Sequence, residues 1–144
     1  MRRSWRQLLL IAPLAFLASS AGAAEFLVVA HSAVEGSRIS RAVLADIYEK
    51  DVVRWGDRTR IQPVDQSGQA PIRRAFAQDI LGRSLGETQN YWSERMAVDR
   101  EMPPPTKASD EEVLAFVASK KGAIGYVAAG TQLPEGIKIL TLVD

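Results

Sequence analysis

The chain has 144 residues, 47% of them hydrophobic and 24% charged, with no cysteine and a single histidine, His31. That length suits one domain, and the ordinary composition excludes a disordered, collagen-like or coiled-coil protein. Without cysteine there is no disulfide framework, thiol nucleophile or thiolate-bound metal cluster, and one histidine rules out a two-histidine metal site.

The first element expected is an export signal over residues 1–24. Arg2, Arg3 and Arg6 make a positive start, Leu8 to Leu17 is apolar, and Ala21-Gly22-Ala23-Ala24 offers small residues for cleavage, the order of a secretory signal peptide. The apolar stretch falls short of the ~20 residues that span a bilayer. The expected mature domain is 25–144, outside the cytoplasm in the periplasm. Three of the 18 basic residues lie in the signal and none of the 17 acidic ones, which leaves 15 against 17 and a net charge of −2. A nucleic-acid partner needs a basic face to displace counterions, so none is expected.

Phe26 to Ala30 is apolar without helical spacing, as expected of a strand buried on both faces. Ser40 then caps a helix carrying Val43, Leu44, Ile47 and Tyr48 on one side. Trp55-Gly56-Asp57 breaks the chain before a second strand, Arg60 to Val64, in which Pro63 predicts a short or edge strand. A helix beginning near Gly68–Gln69 has Pro71 in its first turn, Ile72, Ala75, Phe76 and Ile80 on one face, and Gly82 at its end. Leu85 to Met96 reads as a further helix with Trp92 and Met96 inward and Tyr91 near the stripe's edge. Pro103-Pro104-Pro105 forces an extended connector. Ser109 and Glu112 have capping-box spacing ahead of Val113, Leu114 and Val117. Ala123 to Val127 and Ile137 to Val143 are the final strands. Alternation of this kind predicts an α/β domain with a mostly parallel sheet flanked by helices.

Val64-Asp65-Gln66-Ser67-Gly68-Gln69-Ala70-Pro71 is the stretch richest in chemical possibility. A strand enters a small-residue turn that opens a helix, where backbone N–H groups lack intrahelical acceptors and sit at the positive end of the dipole. Ser67, Gly68 and Gln69 could aim such groups at an oxyanion, with Arg73 or Arg74 adding charge; Ser67 would equally serve as a plain helix cap. His31 and Ser32 follow the first strand and could border the same sheet end, where ligands of open α/β sheets bind. Asp110-Glu111-Glu112 fits the first turn of its helix better than a catalytic carboxylate cluster. Trp55, Tyr91 and Trp92 are read as core rather than as ligand stackers. No Ser/His/acid set, phosphate-gripping Lys loop or metal-ligand spacing appears, so a non-enzymatic protein without cofactor or metal is expected.

Three segments carry a resemblance to a known family. Leu44-Ala45-Asp46-Ile47-Tyr48, then Val53-Arg54-Trp55-Gly56-Asp57, then Ile61-Gln62-Pro63-Val64 resemble the helix, tryptophan and strand segment of periplasmic phosphate-binding proteins. Asp65-Gln66-Ser67-Gly68 falls where that family has its phosphate-contacting Ser-Gly-Thr turn, and Gly122-Ala123-Ile124-Gly125-Tyr126-Val127 resembles its Gly-Ala-Ile-Gly-Tyr strand. The resemblance implies one lobe of the type II periplasmic-binding-protein fold. It further implies a solute-binding function for phosphate or a similar oxyanion, in service of a membrane transporter or a sensor protein. Asp65, Ser67 and Gly68 carry over, whereas Gln69 replaces the family's threonine and Pro63 its anion-neutralising arginine. The chain has length for one lobe where the family has two, so a homodimer could supply the second. The alternative is a module that keeps the fold, binds no ligand and docks a protein.

Overall fold

The computed structural model describes residues 25–144; the expected export signal lies outside them. In chain order the elements are β1 (Phe26–His31), β2 (Arg38–Ser40), α1 (Arg41–Tyr48), β3 (Gln62–Pro63), β4 (Asp65–Gln66), α2 (Pro71–Phe76), α3 (Leu85–Asp99), β5 (Thr106–Lys107), α4 (Asp110–Ser119), β6 (Ala123–Ala128) and β7 (Ile137–Val143). Helix α2 runs on through a wider π turn, Ala77–Leu81, and ends at left-handed Gly82, whose N–H donates to the Ala77 carbonyl.

Five strands form one sheet in the order β2-β7-β1-β6-β3, and β4 pairs with β5 in a separate two-stranded ribbon. The expected alternation of strand and helix is present, but the sheet is mixed rather than mostly parallel. Strand β1 is antiparallel to both β6 and β7, while β2–β7 and β3–β6 are parallel. The reason is that β6 and β7 run parallel to each other, residues 129–136 carrying the chain back to the end where β6 began, and β1 inserts between them in the opposite direction. Pro63 does lie in the edge strand, where no ladder N–H is needed on its open side.

The strand alternation builds two cores. Val28, Ala30, Ile124 and Tyr126 face α1 and α2, packing with Leu44, Ile47, Tyr48 and Phe76. Val29, Ala123 and Val127 face the other way and pack with Val113, Leu114 and Val117 of α4. Strand β1 is therefore buried on both faces, as its unbroken apolar run requires. Phe76 stacks on Tyr126 with ring centroids 3.9 Å apart, and Phe26 meets both rings edge-on.

Both glycines of the Gly-Ala-Ile-Gly-Tyr segment are packing devices. A Cβ on Gly122 would lie 1.9 Å from the Arg60 carbonyl oxygen, and one on Gly125 would lie 2.8 Å from Val64 and 2.9 Å from Val113. Trp55 fixes the same corner by donating its indole N–H to the Gly122 carbonyl at 3.0 Å. Helix ends largely follow the expected caps. Ser40 Oγ accepts from the Val43 N–H, and Ser109 Oγ accepts from Glu112 N–H, although Glu112 returns its carboxylate to the Ala108 N–H rather than to Ser109. The reciprocal capping box is at Ser84 and Glu87, at the start of α3. Ser84→Ala should cost about 1 kcal/mol in urea-induced unfolding, because Glu87 N–H loses its acceptor.

Helix α3 stands beside the sheet layers, tied down by charge. Arg83 and Arg95 flank the Tyr91 ring at 4.2 and 5.7 Å, Arg83 pairs with Glu49 at 2.7 Å, and Arg95 reaches Asp51 and the Glu49 carbonyl. Of its expected inward residues, Trp92 is buried but Met96 is 39% exposed, because α3 borders a cavity there rather than the core. Val43, expected inward on α1, is likewise exposed.

Candidate functional site

The stretch from Asp65 to Arg73 turns its chemistry inward more than its spacing suggests. Asp65, at the start of β4, is buried, and one carboxylate oxygen accepts from the Tyr126 hydroxyl and the Gln66 N–H. The same oxygen lies 3.3 Å from Arg73 Nε, and Arg73 Nη1 donates to the Gln66 carbonyl at 2.7 Å. Arg73 is thus the inward arginine and Arg74 the exposed one. The Gln66 side chain donates to Asp110 and to the Tyr126 carbonyl, so Asp110 anchors this network as well as its own helix turn.

Ser67, Gly68 and Gln69 form a tight turn ahead of α2, whose N-cap is Ala70 without a side-chain cap. The Ser67 N–H donates to the Lys107 carbonyl at 2.9 Å, continuing the β4–β5 ribbon. The Gln69 N–H points at Ser67 Oγ at 3.4 Å, and the Ala70 N–H donates to the Ser67 carbonyl. The expected cradle of three free amides is therefore absent: Ser67 spends its amide on the ribbon with β5 and Gln69 on the turn. Gly68, exposed like Gln69, is the member whose N–H has no acceptor among the described residues. His31 and Ser32 are elsewhere. Strand β1 is antiparallel to β6, so its C-terminal end lies at the start of β6, roughly 16 Å of strand away from the Phe26–Ala128 end near Gln66 and Asp110. There His31 Nδ1 accepts from the Ala33 N–H and the Ser32 N–H donates to the Gly136 carbonyl. Only in a parallel sheet would all strands end at one edge, and β1 runs against both of its neighbours.

Gly68, Arg73 and Asp65 do share a cavity of about 370 Å³ with α3 and the proline connector. Gly68 and Arg73 form one wall. Thr88, Gln89, Trp92 and Ser93 on α3 line the cavity too, together with Pro103, Pro104 and Thr106. Trp92 therefore belongs to the cavity as well as to the core, a role that helical spacing could not distinguish from burial. The other cavity of similar size, about 320 Å³ beside β3, has its Lys50 and Glu101 paired at 3.4 Å. Among the described residues no group of three or more His, Asp or Glu could hold a metal ion, and no helix is long and apolar enough to cross a membrane.

Burial raises the Asp65 carboxyl above its ordinary value; Arg73, the Tyr126 hydroxyl and the Gln66 N–H pull it back only in part. The folded state then holds the proton more tightly than the unfolded chain, so Asp65 contributes most below its unfolded pKa of ~3.9. That contribution is lost as pH rises from there through the raised folded-state value. The stability of the wild type relative to Asp65→Asn should accordingly fall over this window and then level off, as read by urea unfolding at stepped pH.

No protein-family profile matches the chain, and no curated protein sequence matches it significantly. Solved structures do. An ABC-type phosphate transport receptor from Vibrio cholerae aligns with TM-score 0.60 and 16% identity, over 81% of this chain and 45% of the receptor. PstS from Borrelia burgdorferi aligns with TM-score 0.63 and 14% identity, over 81% and 46%. A Clostridium perfringens protein assigned as a phosphate ABC transporter substrate-binding protein, with phosphate bound, gives 0.62 and 16%, over 81% and 44%. The chain therefore has the fold of part of these binding proteins and spans less than half of their length.

Proposed function

We propose that this chain is an exported, non-enzymatic solute-binding domain of lobe size that holds phosphate or a similar oxyanion group at Gly68 and Arg73. The carrying observation is the cavity itself: it is lined by Gly68, whose backbone N–H has no acceptor, and by Arg73, whose Nη2 is unused among the described residues. Free backbone N–H groups and arginine are groups that recognise oxyanions, and the fold likeness to phosphate-binding proteins supports the same reading. Expected binding is weak. Arg73 is half-committed to Asp65, and a single lobe does not enclose the anion. The periplasm is the proposed location, and a membrane transporter or a sensor the proposed partner.

Phosphate at ten times its dissociation constant should raise the melting temperature by about 5 °C, following from roughly 1.4 kcal/mol of linkage. Gly68→Asp is the discriminating variant. Gly68 has open space around its Cα, so the substitution should fold, while its carboxylate should repel the anion and remove the shift. A shift that survives Gly68→Asp places the ligand elsewhere.

The second reading, a module that binds protein rather than solute, is favoured by the internal neutralisation of Arg73 by Asp65 and by exposed Val98 and Met102 beyond the cavity. It predicts no shift with phosphate, sulfate, molybdate or simple carboxylates.

A further inference from the structure

We propose that the ligand of the Gly68–Arg73 cavity is an organic anion, with a phosphate-ester or carboxylate head at Arg73 and an apolar body against Trp92. This rests on the solute-binding reading and narrows it. Size is the first argument. A volume of about 370 Å³ falls in the range of pockets that enclose small organic molecules, and would hold on the order of ten waters around a lone inorganic anion.

Charge is the second. Arg73 sits against Asp65, so the pair presents one unused guanidinium N–H edge and little net positive charge to a ligand. Inorganic phosphate near neutral pH needs more compensation than that on entering a half-enclosed site. An ester or carboxylate can offset the shortfall by burying apolar surface.

The lining is the third argument. Leu85, Trp92, Met96, Pro103 and Pro104 give the cavity apolar lining beside Arg73. Trp92 is only 8% exposed, yet its indole N–H has no acceptor among the described residues, unlike Trp55, whose N–H is bonded. An indole donor that keeps access to solvent beside an apolar surface suits a ligand that brings both an acceptor and a ring or chain.

Calorimetric titration of the purified protein with phenyl phosphate, benzoate, inorganic phosphate and phenol tests this. Phenyl phosphate or benzoate should bind at least ten-fold tighter than inorganic phosphate and than phenol. Trp92→Leu should erase that advantage; should the variant not fold, the Trp92 indole N–H resonance of the wild type should shift on adding the tighter-binding organic anion. Inorganic phosphate binding as tightly as both organic anions, or an unmoved Trp92 resonance at saturation, overturns the inference while leaving the solute-binding proposal standing. Absence of binding by every anion, or phenol binding as well as the organic anions, overturns both.

Discussion

Arg73→Gln should destabilise the protein by about 3–5 kcal/mol at neutral pH, the range found when one partner of a buried pair is removed and the other charge is stranded. The geometry leaves Asp65 few alternatives. Its side chain is 10% exposed and Arg73 is the cation it touches, with the remaining contacts being the Tyr126 hydroxyl and the Gln66 N–H. The loss should shrink as pH falls, because the stranded carboxyl escapes by taking a proton, and burial already favours that form. Adding Asp65→Asn to Arg73→Gln should return most of the lost stability, since an amide keeps an acceptor for Tyr126 and Gln66 without a charge. A double-mutant cycle by urea unfolding, repeated at pH 4.5 and 7.5, measures each quantity. Equal losses at the two pH values would show that Arg73 acts through packing alone.

Gly122→Ala is the second large effect, with an expected loss of about 3 kcal/mol and a fall in melting temperature of about 10 °C. The added methyl group meets the Arg60 backbone oxygen at 1.9 Å, and a backbone carbonyl cannot rotate aside as a side chain can. Relief requires β6 to move away from the 60–62 segment. That motion would strain the Gln62 N–H to Gly122 carbonyl bond of 3.0 Å and the Trp55 indole bond to the same carbonyl. Scanning calorimetry beside Gly136→Ala separates the cause: Gly136 adopts a left-handed φ of 86° with open space around it, so its substitution should cost only the smaller conformational strain.

These two expectations divide the resemblance motif from the candidate site. The Gly-Ala-Ile-Gly-Tyr segment reads from sequence like a signature of function, but the structure uses its glycines for close packing and its tyrosine to hold Asp65. Conversely, Trp92 looks like core in the sequence and turns out to line the cavity. A residue type and a period report that a side chain is inward; they do not report whether the inward side is protein or a void.

Local structure is what the chain encodes directly. Apolar runs and three-to-four spacing set β1, β6, β7 and the cores of α1, α2 and α4, because burial is encoded in period; Ser40, Ser109 and Gly82 set helix ends, because each satisfies backbone groups within a few residues. Tertiary structure alone decided what depends on strand direction and long-range pairing. Insertion of β1 between β6 and β7 made the sheet mixed and sent His31 and Ser32 to the end opposite Gly68. Pairing of β4 with a strand forty residues later consumed the Ser67 amide, and an arginine one turn into α2 folded back onto Asp65. A backbone N–H has one strong bond to give, and which acceptor receives it is settled only when distant segments meet.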